Sequence, residues 1–175
     1  GLVFLTAVMY VAIYTPLKRY SWWNTPIGAI PGAMPPMIGW AAATGSLDPG
    51  AWILFLILFL WQHPHFYALA WMYREDYARG GFKMLPVVDP DGKSTFRHSL
   101  VTVILLVPVS LWPTFVHMSG LIYFWGALFL GLGFLAVCIR WRMSRSVQDA
   151  KWVFLYSLLY WVLLFVFIVV DAYFY

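Results

Sequence analysis

AWILFLILFLWQHPHFYALAWMY, residues 51–73, followed at once by REDYARGGFKMLP, residues 74–86, decides the fold class of this chain. The first stretch carries no Lys, Arg, Asp or Glu, and a hydrocarbon core about 30 Å thick takes roughly 20 apolar residues of helix. The second concentrates Arg74, Glu75, Asp76, Arg79 and Lys83 in one connection. With 63% hydrophobic and 10% charged residues, the whole chain has too little polar surface to cover a soluble domain. The expected fold is therefore all-α, a polytopic transmembrane helix bundle.

Working outward, further apolar runs cover residues 26–43, 99–117, 121–139 and 152–173, and a shorter one covers residues 2–14. At 1.5 Å per residue the opening run reaches only about 20 Å. It reads as the later part of a span whose beginning is missing, and a start at Gly1 fits a fragment. About six segments are expected, the first truncated, within one domain over residues 1–175. The 11 Lys and Arg residues fall in three groups: Lys18 and Arg19; Arg74 through Arg97; and Arg140 through Lys151. By the positive-inside rule these three connections face the cytoplasm, or the matrix in an organelle, with Gly1 and Tyr175 on the outer side. The formal charge of +4 follows from this loop bias and requires no nucleic-acid partner. For the cluster Arg140 to Lys151 an acidic lipid surface is a sufficient explanation. The single cysteine, Cys138, lies in an apolar run and reads as packing, which leaves no disulfide framework within the chain.

The connection over residues 74–97 is long for a compact bundle, and such loops are usually functional. Its residue types suit a polyanion at the membrane surface. Asp76 can hold a hard cation such as Mg²⁺, which takes one or two carboxylates and fills its remaining positions with water and substrate phosphates. Arg74, Arg79 and Lys83 can neutralise phosphate oxygens, and Gly80 with Gly81 lets the backbone turn tightly. The structural alternative is a solvated loop whose charges only enforce topology.

Trp61, His65, Leu69, Met72 and Asp76 step by helical intervals, so a continuous helix would align them on one face. Pro64 is expected to weaken or kink that helix. His65 is equally well read as a functional group or as a buried, hydrogen-bonded histidine, and for His63 the structural reading is favoured. Tyr14 and Lys18 are four apart, which brings phenol and ammonium together if Pro16 permits a helical turn. Interface anchoring explains the pair equally well. Gly28, Ala29, Gly32 and Ala33 give the small-residue spacing of close helix contacts, and Pro35 with Pro36 breaks or bends that span. His117 and Asp171 read as interfacial groups with no assigned role.

Four stretches together, YTPLKR (14–19), GAMPPMIGW (32–40), WQHPHF (61–66) and REDY (74–77) running to MLP (84–86), resemble the protohaem IX farnesyltransferase (haem O synthase) family of UbiA-type intramembrane prenyltransferases. The resemblance runs through most of the chain. It implies a nine-helix bundle around a cavity open to the cytoplasmic or matrix side, in a bacterial cell membrane or the mitochondrial inner membrane. Of this bundle the chain supplies roughly the last five and a half helices. It also implies that Tyr14 and Lys18, with Arg19 beside them, contact a diphosphate, and that Asp76 leads a second aspartate-rich motif holding Mg²⁺; Arg74, Arg79 and Lys83 join them as diphosphate-binding candidates on their charge alone. Gly80 stands where other branches place a second Asp. The first aspartate-rich motif is expected before Gly1, so the fragment alone is expected to be inactive.

The implied reaction joins the farnesyl group of farnesyl diphosphate to a vinyl group of haem B with addition of water. Lys18, Arg19, Arg74 and Asp76 are then the catalytic candidates and His65 the candidate haem ligand, with a downstream haem A synthase as an expected partner. The alternatives are a prenyltransferase for an aromatic or quinone precursor and a non-catalytic membrane haem-binding or transport protein.

Overall fold

A computed structural model describes residues 1–174, so the expected outer placement of Tyr175 lies outside the described residues. The elements are helical: α1 (Leu2–Val8), a π-helical stretch (Met9–Tyr14), α2 (Thr15–Tyr20), α3 (Asn24–Gly32), α4 (Met34–Thr44), α5 (Pro49–Met72), α6 (Arg74–Arg79), α7 (Leu85–Val88), α8 (Lys93–Phe115), α9 (Leu121–Ser144) and α10 (Val147–Phe174). Five helical segments are long and apolar enough to cross a membrane. The chain is an integral, multi-pass membrane protein.

Two expectations about segments need correction. The opening run does not stop at Tyr14; it continues through Lys18 to make a 19-residue segment, Leu2–Tyr20, about 28 Å long. Pro16 does not end it, because the helix widens to a π turn just before the proline and Thr15 Oγ1 donates to the Tyr10 carbonyl at 2.9 Å. The segment over residues 26–43 is not one span but two short helices that meet at Ala33, with Pro35 in the first turn of the second. There its missing N–H leaves no helical hydrogen bond unmade.

The core is a closed set of four long helices in which α5 packs on α8, α8 on α9, α9 on α10, and α10 back on α5. Tyr67, Tyr123, Phe134, Trp141 and Tyr160 are completely buried between them, and Cys138 sits in the same core. In a bilayer, helix association draws on close packing and interhelical hydrogen bonds rather than on a hydrophobic drive. Both are present: the ring of Phe167 lies where a side chain on Gly126 would stand, and Tyr123 Oη donates to the Ser110 carbonyl at 2.8 Å. The small residues of α3 pack in the same way. The Tyr14 ring fills the space beside Gly28, and Gln62 of α5 donates to the Ala29 carbonyl at 2.8 Å.

The three basic connections meet at one end of the bundle. The Lys83 N–H donates to the Lys18 carbonyl at 2.9 Å, and Arg145 Nη1 approaches the Asp91 carbonyl at 3.5 Å. At the opposite end Asp171 is buried, which corrects its reading as an interfacial group. Its carboxylate accepts the backbone N–H groups of Gly120, Ile122 (3.1 Å) and Tyr123 (3.3 Å), capping the start of α9 from the far end of α10. The first N–H groups of a helix have no partner within the helix, and here a carboxylate from another helix supplies one. Replacing Asp171 with Ala is expected to destabilise the bundle by about 2 kcal/mol, with Asp171→Asn losing less. Thermal unfolding in detergent measures both, and wild-type behaviour of the Ala variant would remove this cap from the account.

Candidate diphosphate site and histidine wall

The candidate site begins at the end of the first segment. The π turn over Met9–Tyr14 leads into α2 so that Lys18 Nζ lies 4.2 Å from the centre of the Tyr14 ring, a cation–π contact. The tyrosine and lysine that four-residue spacing predicted to meet do meet, across a π-to-α junction. Arg19 follows, exposed to solvent.

A second strand of the site comes from the loop after α5. Lys83 is tied by its N–H to the Lys18 carbonyl, and its own carbonyl accepts from Asn24 Nδ2 at 3.0 Å. The same amide donates to the Ser21 carbonyl at 2.7 Å, and Asn24 Oδ1 accepts from Thr25 Oγ1 at 3.0 Å. Asn24 is completely buried. Its carboxamide joins the Tyr14–Lys18 segment to the loop that carries Asp76 and Lys83. Sequence reasoning missed this residue, although an Asn opening a run that is otherwise apolar was a usable signal. Tyr77 follows Asp76 on α6, with its ring edge-on to Phe82; partial burial, and then the nearby Tyr14, hold its phenol above the ordinary range.

Asp76 lies on α6, exposed and in an ion pair with Arg79. Asp76 shares the connection after α5 with Lys83, seven residues on. Among the described residues no group of three or more His, Cys, Asp or Glu side chains could form a metal cage. One exposed carboxylate fits the mode in which Mg²⁺ is held mainly by substrate phosphates and water, and does not fit an all-protein cage. Arg74 goes elsewhere: its guanidinium stacks on the Trp71 ring at 4.8 Å and borders a separate cleft of about 290 Å³ with Glu75 and Ala78.

The expected stripe from Trp61 to Asp76 is broken. Helix α5 runs continuously through Pro64 but ends at Met72, where Tyr73 leaves helical geometry, and Asp76 belongs to the next helix. His65 faces α10, between the rings of Trp61 (4.9 Å) and Phe154 (4.7 Å). Its Nδ1 lies 2.7 Å from Ser157 Oγ, and that hydroxyl donates its hydrogen to the Phe154 carbonyl at 2.6 Å. The hydroxyl can therefore only accept from the imidazole, which places the ring proton on Nδ1 and leaves Nε2 with a bare lone pair. The same logic applies to His63 and His98, whose Nδ1 atoms each lie 2.7 Å from a backbone carbonyl, of Phe59 and Ser94 respectively. Tyr67 stands edge-on to both, at 6.0 and 6.3 Å. His63 and His98 thus flank Tyr67 while His65 faces α10, and each imidazole keeps a nitrogen suited to a metal centre.

A profile of the UbiA prenyltransferase family matches residues 1–170. The chain is 52% identical over 171 residues to a protoheme IX farnesyltransferase of Solibacter usitatus (strain Ellin6076), covering 98% of this chain and 59% of that protein. It is 51% identical over 151 residues to one of Salinibacter ruber (strain DSM 13855 / M31), covering 86% and 53%, and 43% identical over 178 residues to one of Koribacter versatilis (strain Ellin345), covering 98% and 57%. The chain spans a little over half the length of these curated relatives. No solved structure matches it significantly. The profile match over nearly the whole chain, on a helical membrane bundle that brings Tyr14, Lys18, Lys83 and Asp76 to one end, establishes that the chain belongs to the UbiA prenyltransferase family.

Proposed function

We propose that this chain is part of a single prenyltransferase domain that transfers the farnesyl group of farnesyl diphosphate to a vinyl group of haem B, giving haem O. The observation that carries the reading is the joining of Tyr14–Lys18 to Lys83, with Asp76 on the same connection as Lys83. Together these residues supply cations and one carboxylate for a diphosphate at the membrane surface, in a chain 52% identical to a protoheme IX farnesyltransferase. The basic end of the bundle is assigned to the cytoplasm or matrix, in a bacterial cell membrane or the mitochondrial inner membrane. A downstream haem A synthase is the proposed recipient of the product.

Lys18 and Lys83, with Arg19 and Arg79 at the rim, bind the diphosphate and stabilise the negative charge that grows on it as the C1–O bond breaks. Asp76 would hold Mg²⁺ against the same oxygens, which supplies further charge neutralisation. Arg74 enters this set only by leaving its stack on Trp71. Tyr14, whose ring already faces the Lys18 ammonium, can face the allylic cation with the same π density. The terminal carbon of the haem vinyl group bonds to C1, and the resulting cation beside the porphyrin takes up water and loses a proton. The products are a hydroxyethylfarnesyl haem and diphosphate. His65 is assigned to orient haem through Nε2, held in place by its Nδ1–H bond to Ser157.

The direct test is mass spectrometry of haem after incubating this chain, and a form extended at its N-terminus, with haem B, farnesyl diphosphate and Mg²⁺. A hydroxyethylfarnesyl adduct from the extended form is expected. Haem that binds but stays unmodified in both would leave the binding-protein reading standing. In the extended form, Asp76→Ala is expected to lower turnover at least about a hundredfold with the fold intact, and wild-type turnover would remove Asp76 from the site. His65→Ala should weaken haem binding about tenfold or more by Soret titration while Mg²⁺-dependent farnesyl diphosphate binding persists; unchanged haem affinity would pass the role to His63 or His98. Asn24→Asp sets an oxygen against two carbonyls. It is expected to raise KM for farnesyl diphosphate about tenfold with haem affinity unchanged, and parallel losses of both would mark Asn24 as merely structural.

A further inference from the structure

At their basic ends α9 and α10 are separated by a groove of about 340 Å³ on the surface of the bundle. Its walls include Val137, Trp152, Leu155, Tyr156 and Leu159, and Trp152, Leu155 and Leu159 remain exposed, as expected of side chains that face hydrocarbon. Arg140 stands at the mouth. Its Nε lies 2.9 Å from Asp149 Oδ1, and the two side chains differ sharply in burial, Arg140 being 70% exposed and Asp149 8%. Asp149 Oδ1 has no hydrogen-bond partner beyond this ion contact. A buried carboxylate therefore holds the Nε edge of the guanidinium, while the rest of the arginine side chain stays largely exposed. On the far side of the ion pair a second cavity of about 650 Å³, bordered by Met143 and Ser144, leaves room beside the arginine. Arg142, Arg145 and Lys151 lie at the same end of the bundle, Lys151 on a different groove beside Tyr73 and Phe154, and the stretch from Arg140 to Lys151 stays net basic against the single acid Asp149.

An apolar slot inside the bilayer, ending at a pre-oriented guanidinium fork on a basic rim, matches a ligand with an aliphatic tail and an anionic phosphate head. A small soluble anion would leave the slot unused. A second copy docked symmetrically on this face would set two basic rims against each other. We propose that this groove binds one anionic glycerophospholipid, its phosphate on the Nη atoms of Arg140 and an acyl chain along Trp152 and Tyr156. This inference stands independently of the reaction assigned above.

Native mass spectrometry of the detergent-solubilised protein, titrated with phosphatidylglycerol or phosphatidylcholine of the same chains, tests it. The expected result is one retained phosphatidylglycerol, favoured about fivefold, a preference lost in Arg140→Gln/Asp149→Asn, which removes both charges together. As a check that does not depend on that variant folding, brominated phosphatidylglycerol should quench tryptophan emission more than brominated phosphatidylcholine, and Trp152→Phe should remove the difference. Equal retention of the two lipids, retention of neither, undiminished preference in the double variant, or displacement of the lipid by millimolar inorganic phosphate would each overturn the proposal.

Discussion

The carboxamide of Asn24 holds the candidate site together, because one buried side chain donates to Ser21 at the end of the first segment and to Lys83 in the loop after α5. Those carbonyls belong to stretches 62 residues apart in sequence, counting from 21 to 83, and neither is part of a regular helix. A carbonyl outside a regular helix has no assured backbone partner and takes its donor from a side chain or from water. Asn24 supplies both donors, and its own oxygen is occupied by Thr25. The positions of Lys18 and Lys83 relative to each other therefore depend on this amide and on the single backbone bond between them.

The same requirement shapes the histidines. An imidazole among helices needs a partner for its N–H, and each of His63, His65 and His98 finds one at 2.7 Å through Nδ1. That use of Nδ1 leaves Nε2 as the acceptor or ligand atom in all three cases. The structural and functional readings of His65, which sequence alone left level, are thus compatible: the bond to Ser157 that makes it a satisfied buried residue also sets the tautomer a metal ligand needs.

Much of the fold was legible in the sequence because membrane helices announce themselves by length and apolarity. The runs at residues 51–73, 99–117, 121–139 and 152–173 correspond to α5, α8, α9 and α10, and the three basic groups predicted to share one side do meet. What hydropathy misses is helix termination. Residues 26–43 are apolar throughout, yet the chain breaks at Ala33, since apolarity fixes immersion in the bilayer and leaves the backbone path to local geometry. Spacing also failed where it crossed a hidden boundary. Trp61 to Asp76 keeps helical intervals in sequence, but Tyr73 leaves helical geometry, so Asp76 has no fixed angular relation to His65.

Asp171 shows the opposite kind of miss. An acid near an outer helix end looks like a residue reaching for headgroups, and nothing local distinguishes it from one that turns inward. Its partners are the N–H groups of Gly120, Ile122 and Tyr123, 51, 49 and 48 residues away. The need was visible, because Gly120 precedes α9 without any side chain to cap it, and the supply was visible in Asp171. Only the packing of α10 along α9 brings them together, and the return path of α10 is also what closes the four-helix core against α5. The cap and the core closure are therefore coupled: an α10 displaced from α9 would uncover the N-terminus of α9 and withdraw Ser157 from His65. A bond at the end of the bundle opposite the basic connections thus helps fix a ring nitrogen on α5, and it does so through the rigidity of one helix.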